Sequence, residues 1–273
     1  MFRAELLGLT TTTATKVSAL VAVVGLIATQ LIFVIVLPAL ARGDIGPGAA
    51  ALGSDFRVLD LTTAAAQLDA INPLGASMGG GSVGIALLAV VLLGTLAGTS
   101  DDRYGGMVGA ALASPRRGHI VAGKAMATAV VGVVVGAVMA VASLAALVGA
   151  LAVTGTAFTA GIGDVVATLG RGVVAIACLA LIGLAVGILV RTQLAGIITM
   201  LAVLFAEPLL TATTSLIGGA APVWTQFLPV ALAQNVIHGG SADVNVGAAL
   251  IALAALSAAA LAAASVALSR RDL

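Results

Sequence analysis

The chain has 273 residues, of which 61 % are hydrophobic and 8 % charged, with a net charge of +1 and a mean hydropathy of +1.22. Soluble proteins carry roughly 25 % charged residues, so this composition excludes an ordinary water-soluble domain and points to lipid as the solvent. An aromatic content of 3 % gives no stacking platform for nucleic acid, and the single cysteine, Cys178, excludes an internal disulfide and reads as a buried, inert thiol.

Residues 1–16 are not apolar enough to span. Phe2, Leu6, Leu7 and Leu9 beside Arg3 and Glu5 predict a short amphipathic helix lying in the membrane interface. Residues 17–40 then supply an almost uncharged run, enough for a span of ~20 residues. Ala39-Leu40-Ala41 has the small-x-small form of a signal cleavage site, but signal cores run only ~7–15 residues, so the run reads as an uncleaved first span. Residues 42–81 form an acidic, Gly-rich loop. A short helix is predicted at 55–71, with Phe56, Leu59, Leu68 and Ile71 partly facing lipid.

The second span covers 82–99. It leads into a charged island at 100–124 that holds four of the twelve basic residues (Arg103, Arg116, Arg117, Lys124) and the adjacent acids Asp101 and Asp102. The third span, 125–153, is long enough to tilt. A small-residue loop is predicted over 154–171, a fourth span over 172–190, a tight turn at Arg191-Thr192-Gln193 and a fifth span over 194–210. The segment 211–245 holds apolar pieces too short to cross, broken by Gly218, Gly219, Pro222, Pro229, Gly239 and Gly240. Such pieces suit re-entrant or interfacial helices. The sixth span, 246–268, ends at the basic tail.

With six spans both termini share one side. Nine basic residues fall there (Arg3, Lys16, the four of the island, Arg191, Arg270 and Arg271), against Arg42, Arg57 and Arg171 opposite. The excess of Lys and Arg places the termini and the island in the cytoplasm of a bacterial-type plasma membrane. Gly94-x-x-x-Gly98, Gly132-x-x-x-Gly136 and Gly183-x-x-x-Gly187 each set two glycines one turn apart, the spacing that lets helices approach closely in lipid.

Few residues offer chemistry. Gly118 to Lys124 has the spacing of a phosphate-binding loop, but Ala125 stands where the magnesium-binding hydroxyl belongs and no strand precedes it. No nucleotide site and no enzymatic activity are therefore expected of the chain itself. His119 and His238 have no acid or thiol at ligand spacing, so no metal site is expected. Glu207, beside Pro208, is an acid deep in a span, where a charge costs ~2.5–3.5 kcal/mol at the bilayer centre. It is either a functional group or part of the repair of the proline break. Trp224, Phe227 and Tyr104 read as interface anchors.

The order of these features resembles the ABC-2 type permeases, the six-span export subunits of ATP-binding-cassette transporters. The residues that carry the resemblance are Phe2-Arg3-Ala4-Glu5-Leu6-Leu7, then Tyr104-Gly105-Gly106-Met107 with Ser114-Pro115-Arg116-Arg117 and Gly123-Lys124. Ala206-Glu207-Pro208-Leu209-Leu210, Leu228-Pro229-Val230-Ala231 and the tail Ser269-Arg270-Arg271-Asp272-Leu273 complete it. The resemblance implies an all-α integral membrane protein with an interfacial N-terminal helix and re-entrant helices between spans five and six. The island would hold a cytoplasmic coupling helix, with Asp101, Asp102, Arg103, Tyr104, Met107, Pro115, Arg116 and Arg117 meeting a separate ATPase. Two copies of that ATPase, which would bind ATP and magnesium, and a second permease chain would complete the transporter. Glu207, Pro208, Trp224, Phe227 and Pro229 would line or gate the route. The alternatives are a proton-coupled carrier working through Glu207 and a non-transporting scaffold or sensor.

Overall fold

The computed structural model describes residues 2–46, 59–75, 83–104, 117–219 and 221–270, with side chains described throughout except at 101–104 and 117. Among the described residues the elements are helical: α1 (Phe2–Thr11), α2 (Thr13–Gln30), a π-helical stretch (Leu31–Val36), α3 (Leu37–Arg42), α4 (Ala64–Ala70), α5 (Ile85–Tyr104) and α6 (Arg117–Thr154). There follow α7 (Ile162–Val190), α8 (Gln193–Gly218), a 3-10 turn (Val223–Phe227), α9 (Pro229–His238) and α10 (Val246–Ser269). Five helical runs are long and apolar enough to cross a membrane: Thr13–Arg42, Gly118–Thr154, Ile162–Val190, Gln193–Gly218 and Val246–Ser269. That is the architecture of a multi-pass helical membrane protein. The second expected span is helical as α5, but its apolar part, Ile85–Ser100, is shorter than the others.

Local chemistry explains where several elements begin and end. The hydroxyls of Thr10, Thr11 and Thr12 donate to the carbonyls of Leu6, Leu7 and Gly8, which closes the end of α1 before the chain turns at Thr12. The division between α1 and the first long apolar helix therefore falls at Thr12, and Lys16, expected in the N-terminal segment, already belongs to α2. The first span widens into π geometry over Leu31–Val36, just ahead of Pro38. Proline has no N–H for the carbonyl of Val34 and its ring crowds that oxygen, which accounts for the local change of helical register.

The helices alternate in direction. One apolar cluster joins Leu9 of α1 to Ala97, Val121, Leu184, Ile188 and Leu268, at the end of the bundle near the termini. A second cluster, with Val34, Leu61, Ile71, Leu147, Leu151 and Val165, closes the opposite end. At the centre stands α7, packed by α5, α6, α9 and α10. Of its apolar window 61 % is buried inside the protein, against 17 % for α10 and 22 % for α8, whose outward faces are left to lipid or to another chain.

Glycine decides how close α5 and α7 come. A Cβ on Gly94 would lie 1.9 Å from the carbonyl oxygen of Ala180, and one on Gly98 2.6 Å from that of Leu184. From the other side, a Cβ on Gly183 would stand 2.2 Å from the oxygen of Val91 and one on Gly187 2.4 Å from that of Thr95. The four glycines form one seam with backbone against backbone, where dispersion contacts replace the missing hydrophobic drive. Gly132 and Gly136 of α6 approach α7 less tightly: a Cβ on them would stand 3.0 Å from the Cα of Ala177 and 3.2 Å from that of Val173.

Three expectations are corrected. The loop expected over 154–171 is half helix, because α7 starts at Ile162. Asp164 sits in the first turn of α7, where an acid suits the positive end of the helix dipole, and Arg171 lies within the same helix. The fifth span does not end at Leu210 but continues to Gly218. The short helix in the first long loop spans Ala64–Ala70, and Ile71 just after it is fully buried against protein rather than turned to lipid, with Leu68 and Leu59 packed on the same cluster. Phe56 lies outside the described residues.

Candidate functional site

Polar groups gather at the end of the bundle away from the termini, around α9. Glu207 is 5 % exposed and belongs to α8, yet its carboxylate reaches across to the start of α9. Oε2 accepts the N–H of Val230 at 2.9 Å and Oε1 that of Ala231 at 2.6 Å. The first residue of α9 is Pro229, which has no N–H to satisfy, so the carboxylate takes the next two free donors of the helix N-terminus. Glu207 thus caps a helix from another helix. The carbonyl that Pro208 deprives of an N–H is that of Leu204, one turn back, while the Thr211 hydroxyl donates to the Glu207 carbonyl at 3.0 Å. Arg171 is not its partner: the guanidinium donates to Thr168 Oγ1 at 3.1 Å.

The other end of α9 is tied to the first long loop. Asn72 Nδ2 donates to Gln234 Oε1 at 2.8 Å, and Gln30, fully buried in the first span, donates to the Asn72 carbonyl at 3.3 Å. His238 meets Asp69 of α4 at 2.9 Å. The 3-10 turn is held from the far side, where Gln226 Nε2 donates to Asp243 Oδ2 at 2.7 Å and Gln226 Oε1 accepts from the Ser241 hydroxyl. Trp224 and Phe227 of this turn point outward, 50 % and 47 % exposed, as interface anchors would. Next to α9 lies a cleft of about 400 Å³ lined by Asp69, Asp164, Thr168, Arg171, His238 and Gly239. Arg171 Nε is buried there without a hydrogen-bond partner among the described residues. Gly239 has φ +87°, and a Cβ on it would stand 3.3 Å from the Arg171 guanidinium, so two constraints favour glycine at this cap.

A second amide clamp fixes the loop itself. Gln67, fully buried on α4, donates to the carbonyls of Leu61 and Ala157 and accepts from the N–H groups of Thr159 and Ala160. All four capacities of one side chain are used.

Near the termini the described residues frame the island without its middle. Helix α5 continues through Asp101, Asp102 and Arg103 to Tyr104, and α6 begins at Arg117. Met107, Pro115 and Arg116 lie outside the described residues. At the last position of the island, Lys124, 4 % exposed, donates to Glu5 Oε2 of α1 at 3.2 Å, a part-buried ion pair that fastens α1 to the start of α6.

Glu207, Pro208 and Pro229 come together in space, with Trp224 and Phe227 on the adjoining turn, while the end of α5 and the start of α6 that flank the island lie at the opposite end. The sequence reading missed Gln30, Gln67, Asp69, Asn72 and Gln234. A glutamine inside an apolar run was the one available signal, at Gln30. No group of three or more His, Cys, Asp or Glu side chains able to hold a metal occurs among the described residues. The sequence matches no protein-family model and no curated protein.

Proposed function

We propose that the chain is the membrane-spanning permease subunit of an ATP-binding-cassette exporter, moving an amphipathic or lipid-like compound, drug or peptide outward. In this reading it pairs with a second permease chain to form the route and with two copies of a separate cytoplasmic ATPase, which brings ATP and magnesium. The observation that carries the reading is the place of the island. It joins the end of α5 to the start of α6, and both helices pack on the central α7, α5 through the glycine seam. A push on that connection reaches the most tightly packed part of the bundle. The distribution of basic residues supports a cytoplasmic island, and the ordered motifs of an ABC-2 permease support the partner. The α9 unit, at the other end, is the element of the right kind to open or close an outward exit.

The surroundings of Glu207 favour this reading over a proton-coupled carrier. Both carboxylate oxygens are engaged by backbone N–H groups, and among the described residues no second titratable side chain is bonded to them. The test is to co-purify the chain with the ATPase encoded beside it and to measure ATP hydrolysis in liposomes. Stimulated hydrolysis that falls when Arg116 and Arg117 are both changed to Glu, with membrane insertion intact, supports the proposal. A chain that binds no ATPase in any detergent overturns it.

A further inference from the structure

His238 closes α9, and both of its ring nitrogens face acceptors. Nδ1 lies 2.9 Å from the carbonyl oxygen of Gln234, and Nε2 lies 2.9 Å from Asp69 Oδ1. A neutral imidazole carries one N–H: whichever nitrogen bears it, the other turns a lone pair on an oxygen 2.9 Å away and the ring cannot keep this position, whereas the imidazolium fills both. The second bond matters because Asp69 stands on α4, 169 residues away in sequence, so the ring joins two separate segments at this end of the bundle.

The charged groups around the ring come from two neighbouring elements. Asp69 faces it from α4, and Asp164 and Arg171 from α7 across the cleft, while α9 itself supplies the Gln234 carbonyl. Burial is the largest single influence and favours the neutral ring, and Arg171 acts in the same direction. The Asp69 hydrogen bond and charge, with the Gln234 carbonyl, outweigh them and lift His238 above its ordinary value of 6.5. The side chain keeps 34 % of its surface exposed, so aqueous protons reach it.

We propose that the His238–Asp69 pair is a pH-sensitive latch: it holds the end of α9 against α4 while the imidazole is protonated, and releases that end as the aqueous phase beside it turns alkaline. The sign follows from the raised folded-state value. The latch contributes fully below the unfolded value of 6.5 and is lost as pH rises through the higher folded value. Release is local. The Asn72–Gln234 amide bond does not titrate, and Glu207 keeps the other end of α9 in place. Two glycines with positive φ, Gly239 at +87° and Gly240 at +105°, follow the ring directly and give the chain a place to bend. The latch does not depend on the ATPase reading and can fail or stand without it.

The chain has two histidines, so nitrogen NMR of the labelled imidazoles in nanodiscs reads His238 directly, with His119→Gln identifying the other signal. The expected result is a His238 midpoint above 6.5 that falls when Asp69 is changed to Asn. Hydrogen exchange of residues 229–240, corrected for the intrinsic rate at each pH, should lose protection across that same midpoint in the wild type. It should be weak and pH-independent in Asp69→Asn and His238→Gln. A midpoint at or below 6.5, or exchange protection that stays flat across the NMR midpoint, overturns the latch. Both decisive readings come from the wild-type protein, so a variant that folds poorly does not shelter the proposal.

Discussion

Replacing Glu207 by alanine removes the cap on α9, and its cost can be worked from the two bonds. Hydrogen bonds to charged groups contribute ~1.5–3 kcal/mol each, and a buried donor left unpaired forfeits most of its share. Val230 is 1 % exposed, so its N–H cannot turn to water, whereas Ala231 is only half-buried and its N–H finds a substitute. One full loss and one partial loss give about 2–4 kcal/mol for Glu207→Ala. Glu207→Gln keeps one oxygen for one N–H but sets its amide donors against the other, so about half of the loss returns. Glu207→Asp is one methylene short and behaves like alanine. Equilibrium unfolding in mixed micelles, with hydrogen exchange of residues 229–238 as the local reading, should order the variants wild type, Gln, then Ala with Asp. A Glu207→Ala protein within about 0.5 kcal/mol of wild type, the range of ordinary surface substitutions, would refute the capping role. So would a glutamine variant as damaged as the alanine one.

Gly94→Ala should open the α5–α7 seam, because its Cβ would meet the Ala180 oxygen at 1.9 Å, while Gly170→Ala, with nothing within 4 Å, should be neutral or mildly stabilising in a melting assay. Gln67→Leu strands two N–H groups and two carbonyls and should cost about 3–5 kcal/mol, read as lost protection at 157–160 in hydrogen exchange. Glu5→Gln takes the carboxylate from Lys124 and should cost about 2 kcal/mol, below the ~3–5 kcal/mol of a fully buried pair because Glu5 keeps 18 % of its side chain exposed. The double variant Glu5→Gln, Lys124→Met should recover more than half of that in the same unfolding measurement, since no charge is then left buried.

The five long apolar helices were legible because apolar runs in this chain are bounded by charges or glycine, and lipid demands both length and composition. Where the reading failed, a local cue misled. Residues 162–171 carry Gly163, Asp164, Gly170 and Arg171 and look like loop, yet the acid is an asset in a first helical turn and the arginine lies beside a cleft rather than in bulk water. Glycine spacing disclosed that Gly94, Gly98, Gly183 and Gly187 could pack, but not that the first pair faces the second, since pairing is a property of the assembled bundle. Glu207 stood out as a charge in an apolar run. Its role did not, because its partners are main-chain N–H groups 23 and 24 residues farther on, and every residue offers such a group.

The two kinds of contact divide the molecule by what it takes to rearrange them. Sliding α5 along α7 would drive backbone into backbone at four glycines spaced to fit one register, so these helices move together or not at all. The α9 unit is held instead by discrete polar ties: Glu207 at its start, Gln234 and His238 at its end, and Gln226 beyond the turn. Each tie contributes on the order of one to three kcal/mol and can be exchanged for water at the rim of the membrane. On the proposed permease reading, a push on the connection between α5 and α6 would pass through this stiff centre before it reached α9. The first movement at that end would then belong to α9, because its bonds can break one at a time while the seam must give way all at once.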